Sequence, residues 1–292
     1  MSESFAHLLR SLNSRLLYTE SFFIEKPLKV LRLISYWIYR SRLGRTKAPA
    51  LRTITNFDRD IRLRVDISRR MGAILYWTGF HELRELYFLH RALQPDWVMI
   101  DAGANQGEYT LFAAKRLTGG KVVAYEPVTA WFDNLSENVR SNGCTNVILR
   151  KAGLSDKHGT APVYTSSDSA NEGTSSLFAA RGAEKPFETI ELKTLDKEVG
   201  VLGLARVDLI KMDIEGAEWP ALRGAAETLR VFRPVLLIEI DERLCRRAGY
   251  EPADLTGWLR ESGYRMQVLG KRGELLEPKG KMRTGNVVMI PG

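Results

Sequence analysis

Four stretches of this 292-residue chain set glycine-rich or acidic turns directly behind short apolar runs. The first, Asp101-Ala102-Gly103-Ala104-Asn105-Gln106-Gly107-Glu108-Tyr109-Thr110, follows the run at 97–100. Glycines at 103 and 107 allow a tight strand-to-helix turn and close approach of the backbone to a ligand. Their spacing is G-x-x-x-G. The dinucleotide pattern G-x-G-x-x-G needs its second glycine to admit a pyrophosphate, so nicotinamide chemistry is disfavoured. The second is Glu126, followed by Pro127, at the end of the run 121–125 and 19 residues past Gly107. A carboxylate there can accept hydrogen bonds from both hydroxyls of a ribose.

The third stretch, Lys211-Met212-Asp213-Ile214-Glu215-Gly216-Ala217-Glu218, places three carboxylates just past a buried run. A helix N-terminus favours acids, which accounts for Glu218 better than for Asp213 at the strand end itself. The fourth is Glu239 with Asp241. If these ends converge, Asp213, Glu239 and Asp241 could offer oxygen ligands to Mg²⁺, although no metal is assigned. Each stretch also has a plain reading, as a structural turn or a solvated carboxylate. Glycine turn and correctly spaced acid together are much less expected by chance than either alone. Two histidines are alternative bases: His81, beside Glu82, and His158, which reads as a turn residue in Asp156-Lys157-His158-Gly159.

The elements that must position these groups are strands alternating with helices. Apolar runs lie at 97–100, 121–125, 146–149, 207–212, 234–240, 264–269 and 286–290. Helical patterns follow the first two, then recur at 220–229 and 252–262. Such alternation predicts a parallel sheet covered on both faces, with ligands at the carboxyl ends of its strands. The last two strands have no helix between them and are expected to pair antiparallel. Residues 162–164 and 189–192 read as extra strands, and 171–176 as a polar loop. Upstream, 71–94 reads as one helix and 44–56 as a linker.

Hydrophobic residues make up 44% and charged residues 27%, which excludes global disorder, a collagen-like chain and a polytopic membrane protein. Cys144 and Cys245 can form neither a disulfide framework nor a zinc cluster and point to reduced cytoplasmic thiols. The net charge of +8 is unevenly spread: residues 1–95 hold 17 basic and 8 acidic side chains, and the remainder is nearly neutral. Nucleic acid is therefore not the expected partner of the main domain. No secretory signal or membrane span is evident at the N-terminus. Within residues 28–43, Lys29, Arg32, Tyr36 and Arg40 form one helical stripe among apolar faces. The segment reads as a helix docked on the domain with a basic outer stripe, as an interfacial helix touching anionic lipid, or as a contact to nucleic acid.

Residues 97–240 resemble the FkbM family of S-adenosylmethionine-dependent methyltransferases. The matching stretches are IDAGANQGEYTLFAA (100–114), VVAYEPVTAWFDNLSENVRSNG (122–143), GLSDKHGT (153–160), NEGTSSLF (171–178), KTLDKEV (193–199), VDLIKMDIEGAEWPALRGA (207–225) and RPVLLIEI (233–240). The resemblance implies a class I methyltransferase: a Rossmann-like seven-stranded α/β sheet with its last strand antiparallel. Residues 1–60 would be a basic, amphipathic helical extension with a linker. Residues 61–292 would be the methyltransferase domain, with a helical lead-in at 61–95 and a core at 96–292.

The resemblance further implies that Asp101, Gly103, Ala104, Asn105, Gly107, Tyr109 and Thr110 frame the methionine part of the cofactor. Glu126 and Pro127 would take the ribose, and Gly153, Leu154, Ser155 and Asp156 the adenine. Glu82 falls where the family carries a glutamate. Asp213 would face both cofactor and reacting centre; a carboxylate at the end of that strand can orient or deprotonate a substrate hydroxyl, with Glu215 and His81 as further catalytic candidates. Asn171, Thr174, Ser175, Ser176 and Glu239 would meet the substrate. Gln106 and Pro220 depart from the family pattern.

The implied reaction is O-methylation of a sugar, glycolipid, polyketide or similar small molecule. The turn Asp213-Ile214-Glu215-Gly216 replaces the Asn/Asp-Pro-Pro-aromatic turn of many N-methyltransferases. The rival readings are a non-catalytic nucleoside-binding scaffold and a membrane-recruited module that kept the fold. The expected location is cytoplasmic, with peripheral contact at the inner membrane surface through 28–43.

Overall fold

The computed structural model describes residues 3–18, 22–42, 50–164, 176–178, 186–278 and 284–292. Helices α1 (Glu3–Ser14) and α2 (Phe22–Arg42) lead into an antiparallel hairpin of β1 (Leu51–Phe57) and β2 (Ile61–Asp66). Residues 51–56, expected as linker, thus lie in a strand, and the expected division between 60 and 61 falls within the hairpin, where its turn meets β2. Alternate burial of Ile54, Leu63 and Val65 explains why this polar-looking sequence pairs instead of remaining a linker.

The helix expected over 71–94 is two helices, α3 (Arg70–Thr78) and α4 (Leu83–Ala92). Gly79, at φ +88°, ends the first, and the chain turns through Phe80, His81 and Glu82 before the second begins. That break lets His81 and Glu82 leave helical geometry and face the sheet.

The rest alternates as predicted. β3 (Val98–Ala102), α5 (Glu108–Ala114), β4 (Lys121–Tyr125), α6 (Thr129–Ser141) and β5 (Val147–Arg150) run in succession. A small second sheet contains β6 (Gly153–Leu154), β7 (Gly159–Val163) and β8 (Glu188–Lys193), so the extra strands read from the sequence are present. Helix α7 (Leu195–Val201) returns the chain to β9 (Leu209–Met212). The single helix expected at 220–229 is split into α8 (Glu218–Arg223) and α9 (Ala226–Phe232). The split falls at Gly224, where an added Cβ would lie 2.0 Å from the carbonyl oxygen of Ser155. β10 (Val235–Asp241), α10 (Glu242–Arg247), α11 (Pro252–Glu261), β11 (Tyr264–Leu269), β12 (Leu275–Leu276) and β13 (Thr284–Pro291) complete the chain.

The main sheet has the order β12-β11-β13-β10-β9-β3-β4-β5. Without the two-residue edge strand β12 it has the seven strands, the last antiparallel, that the resemblance implies. The last strand, β13, runs antiparallel to both β10 and β11, and the pairs from β10 to β5 are parallel. Successive side chains on β3 feed opposite faces: Met99 joins a core with α1, the hairpin, α3, α4 and α5, while Val98 and Ile100 join one with α8, α9 and α11. Cys144 and Cys245 are free. No helix among the described residues is long and apolar enough to cross a membrane.

The N-terminal helices are bound to the domain by buried polar contacts. Arg10, 1% exposed, donates to Asn56 Oδ1 at 2.9 Å and to the Tyr76 carbonyl at 2.7 Å. Tyr87 Oη donates to the Leu16 carbonyl at 2.6 Å. In α2 the expected outer basic stripe is broken. Arg32 turns inward and donates to the Phe80 carbonyl at 3.3 Å, while Val30, Leu33, Ile34 and Trp37 face out.

Candidate active site at the carboxyl ends of the strands

Parallel registry decides the site. Ala102 on β3 pairs with Met212 on β9, and Met212 pairs with Ile238 on β10. The next residues along, Gly103, Asp213 and Glu239, therefore emerge together at the carboxyl edge. They line a cavity of about 360 Å³, within the range of small-molecule sites. His81, Glu82, Ala104, Asn105, Tyr109, Glu126, Pro127, Gly153, Leu154 and Glu215 line it too.

Gly103 is the tightest point. Its φ is +76°, and an added Cβ would lie 1.9 Å from the Asp213 carbonyl oxygen. Gly103 and Ala104 N–H both donate to the Tyr125 carbonyl at 3.0 Å, which seats the turn between β3 and β4. Gly107, φ +96°, packs against Leu135 and starts α5.

The Glu126 carboxylate accepts from Asn105 N–H at 2.9 Å through one oxygen and from Val128 N–H at 3.0 Å through the other. It thus ties the two strand ends together and keeps lone pairs free on both oxygens. Burial pushes its carboxyl up to about 7 despite those two donors.

Beneath the turn, Asp101 is fully buried and accepts from Thr110 Oγ1 at 2.6 Å. Lys211 Nζ lies 3.5 Å from Asp101 and 3.9 Å from Asp213, donates to the Gly103 carbonyl at 3.0 Å, and sits over the Tyr109 ring. Burial would depress this ammonium, but Asp101 and Asp213 outweigh it and hold it above the usual lysine range. Asp101, Gly107 and Thr110 support the cavity from below and do not line it.

The opposite end carries the carboxyls. Asp213 is partly exposed at the cavity. The charge of Asp213, reinforced by burial and by a hydrogen bond to Asp213, pushes the Glu239 carboxyl up to about 10. Burial and then Asp213 push Glu215 up to about 8. Burial depresses the His81 imidazole, against the pull of Glu82 and Asp213, so it is neutral at pH 7. The His81 backbone N–H donates to Glu108 Oε1 at 2.8 Å, and Tyr109 Oη donates to Glu82 Oε2 at 2.5 Å.

Glu218 is a structural acid: it accepts from Ile214 N–H at 3.0 Å and Gly216 N–H at 3.3 Å, holding the 213–217 turn. Asp241 caps α10 through Arg243 and Leu244 N–H and pairs with Arg243. It is therefore occupied away from Asp213 and Glu239. Among the described residues no group of three or more His, Cys, Asp or Glu side chains could hold a metal ion.

Ser155 and Asp156 do not line the cavity. Ser155 N–H donates to the Lys193 carbonyl at the end of β8, and Asp156 pairs with Arg223 on α8. His158 is an exposed turn residue facing Thr194. Ser176 Oγ donates to the Glu215 carbonyl at 2.7 Å, so it anchors the acidic turn. Asn171, Thr174 and Ser175 lie outside the described residues. Unassigned from the sequence, Arg70, Trp131, Leu177, Ile190 and Lys211 also line the cavity. Only Lys211 carried a signal, as a charge inside an otherwise apolar strand.

The profile of the Methyltransferase FkbM domain family matches residues 101–266, more than half of the chain. The chain belongs to this family. The match contains the glycine turn, Glu126, the acidic turn after β9 and Glu239. Methyltransferase sdnD of Sordaria araneosa is 31% identical over 156 residues, covering 44% of this chain and 60% of that protein. AMB antimetabolite synthetase AmbE of Pseudomonas aeruginosa is 28% identical over 219 residues, covering 63% of this chain and 10% of that protein. The solved structure of methyltransferase FkbM from Methylobacillus flagellatus KT is 17% identical, with a TM-score of 0.49, covering 90% of this chain and 60% of that one. This chain spans less than two thirds of the length of each of these proteins.

Proposed function

We propose that this FkbM-family domain binds S-adenosylmethionine in the cavity and methylates an acceptor hydroxyl, on a sugar, glycolipid, polyketide or similar small molecule. One observation carries the reading: the Gly103 turn and the Glu126 carboxylate open on the same cavity as Asp213, Glu239 and His81. The donor set fits the cofactor. Glu126 has free lone pairs for two ribose hydroxyls, Gly103 leaves the room a Cβ would fill, and Leu154, Ile190 and Trp131 offer apolar surface for a purine.

When bound, the cofactor supplies an electrophilic methyl group on a sulfonium. The chain must then hold a hydroxyl in line and take its proton. Asp213 is the base in this reading. Glu239, protonated, donates to Asp213 and fixes its orientation. Glu215, also protonated at neutral pH, limits the negative charge of the cluster. Neutral His81 is positioned to bind the acceptor or to take the proton in place of Asp213.

Calorimetric titration with S-adenosylmethionine tests the site. Wild type is expected to bind saturably, and Glu126→Ala to bind roughly tenfold to a hundredfold more weakly, the loss of two charge-assisted hydrogen bonds. Equal affinity in the variant, or no binding by folded wild type, would reject the assignment.

A pH series adds a second test. Glu126 accepts both hydroxyls only when ionised, and its carboxyl titrates at about 7. Affinity is therefore expected to be full above pH 7 and to fall toward about tenfold per unit below it. Glu126→Gln should lack that slope. A slope that persists in the variant would assign the titration to another group.

A further inference from the structure

Helix α2 carries its apolar side chains on the wrong face for a helix that merely docks. Val30, Leu33, Ile34 and Trp37, at helical spacings of three, one and three, form one stripe and are 56%, 69%, 50% and 77% exposed. The inward positions instead hold Leu28, Ser35 and Tyr39, all buried, with Arg32 turned toward Phe80. A surface helix ordinarily points its apolar stripe at the core and its polar residues at water. Here the stripe has nothing from the described chain over it, and four large side chains kept in water are costly unless something covers them.

The charge beside the stripe says what that cover is. Lys29 and Arg40, both exposed, flank it on one side with Tyr36. From Lys26 to Lys47 the sequence holds seven basic residues and no acidic one. Of these, Arg32 turns inward, toward Phe80. A second copy of the same face would bring like charges together, and a neutral apolar partner would not complement the basic excess of this segment. An anionic bilayer uses both: apolar side chains enter the acyl boundary, Trp37 and Tyr36 sit at headgroup level, and the lysine and arginines meet phosphates.

We infer that the outer face of α2 is a docking surface for an anionic lipid bilayer, with Val30, Leu33 and Ile34 as the inserted stripe and Trp37 beside them at headgroup level. This surface is separate from the cavity, and the inference does not depend on the chemistry performed there.

Co-sedimentation of the full chain with vesicles tests it. The vesicles are phosphatidylcholine alone or phosphatidylcholine mixed with phosphatidylglycerol. Wild type is expected to pellet with the mixed vesicles about tenfold more strongly than with phosphatidylcholine, and less so as salt rises. The double variant Leu33→Ser, Trp37→Ser should lose about tenfold or more of that binding, and Lys29→Gln, Arg40→Gln should lose the preference for the anionic mixture.

All these side chains are exposed, so the variants should keep the wild-type circular dichroism and melting temperature, which is measured alongside. Three results would overturn the inference. One is that wild type pellets with neither vesicle. Another is that the serine variant, folded, pellets as well as wild type. The third is that ultracentrifugation without lipid shows self-association that the serine variant abolishes, which would make the face a contact between copies.

Discussion

Asp213→Asn is expected to lower methyl transfer by roughly 10²–10⁴-fold, the range removed with a positioned general base, and to change S-adenosylmethionine affinity by less than about tenfold. Asparagine keeps the shape of the side chain but cannot take a proton. The cofactor would still have the Gly103 turn and Glu126, which are built from β3 and β4 backbone and are untouched. Single-turnover transfer of a radiolabelled methyl group to a panel of hydroxylated sugars, glycolipids and polyketides, with calorimetry on the same samples, measures both quantities.

Glu239→Gln is the informative partner. The charge of Asp213 holds a proton on Glu239 up to about pH 10, and glutamine imitates that protonated acid. Its loss in turnover is therefore expected to stay below about tenfold. Full activity in Asp213→Asn would remove Asp213 as base and leave His81, which burial keeps neutral. His81→Gln would then carry the large loss.

Gly103→Ala is expected to abolish cofactor binding, a loss beyond roughly a hundredfold, and to destabilise the protein by about 2–4 kcal/mol, several degrees in melting temperature for a chain of this size. The methyl group would lie 1.9 Å from the Asp213 carbonyl oxygen. Neither backbone can yield easily. Gly103 N–H is bonded to Tyr125, Asp213 N–H is bonded to Ala102 at 3.2 Å, and Lys211 holds the Gly103 carbonyl. Separating β3 from β9 would move both halves of the cavity.

Gly143→Ala separates steric from conformational cost. Gly143 also has positive φ, +61°, but an added Cβ meets nothing within 4 Å. It should cost only about 1 kcal/mol and leave binding intact. Thermal unfolding and calorimetry on the two variants decide the matter. If Gly103→Ala were as stable and as tight-binding as Gly143→Ala, the close packing of the two strand ends would not be what shapes the site.

Much of this fold was legible because parallel strands buried on both faces must be apolar along their whole length. The runs that became β3, β4, β5, β9 and β10 could be located without any partner being known, and so could the polar turns behind them. Positions 103 and 107 announced themselves by residue type, since positive φ and a missing Cβ are what glycine provides. Glu126 was legible from its distance past that turn. The helix breaks were not. A run such as 71–94 has helical periodicity throughout, and only the docking of residues 79–82 against Glu108 and Arg32 makes the break favourable. Likewise α8 and α9 part at Gly224, where the Ser155 carbonyl, almost seventy residues away in sequence, occupies the space a side chain would need.

The sequence by itself determined that this chain would form a doubly covered, largely parallel sheet, and that a glycine turn, an acid spaced for a ribose and a cluster of carboxylates would gather at one edge. These are local properties: apolar continuity, glycine conformation and spacing along one strand or turn. Tertiary structure alone decided which groups act on one another. The registry of β3 against β9 puts Lys211 beside Asp101, and that of β9 against β10 brings Asp213 to Glu239, where one charge keeps a proton on the other. It also decided which face of α2 meets the core. That helix is apolar over more than half its circumference, so periodicity could not orient it. Packing against α1 and α3, with Arg32 drawn toward Phe80, turned its apolar stripe outward. Pairings between residues distant in sequence depend on registry and packing geometry, which no local pattern encodes.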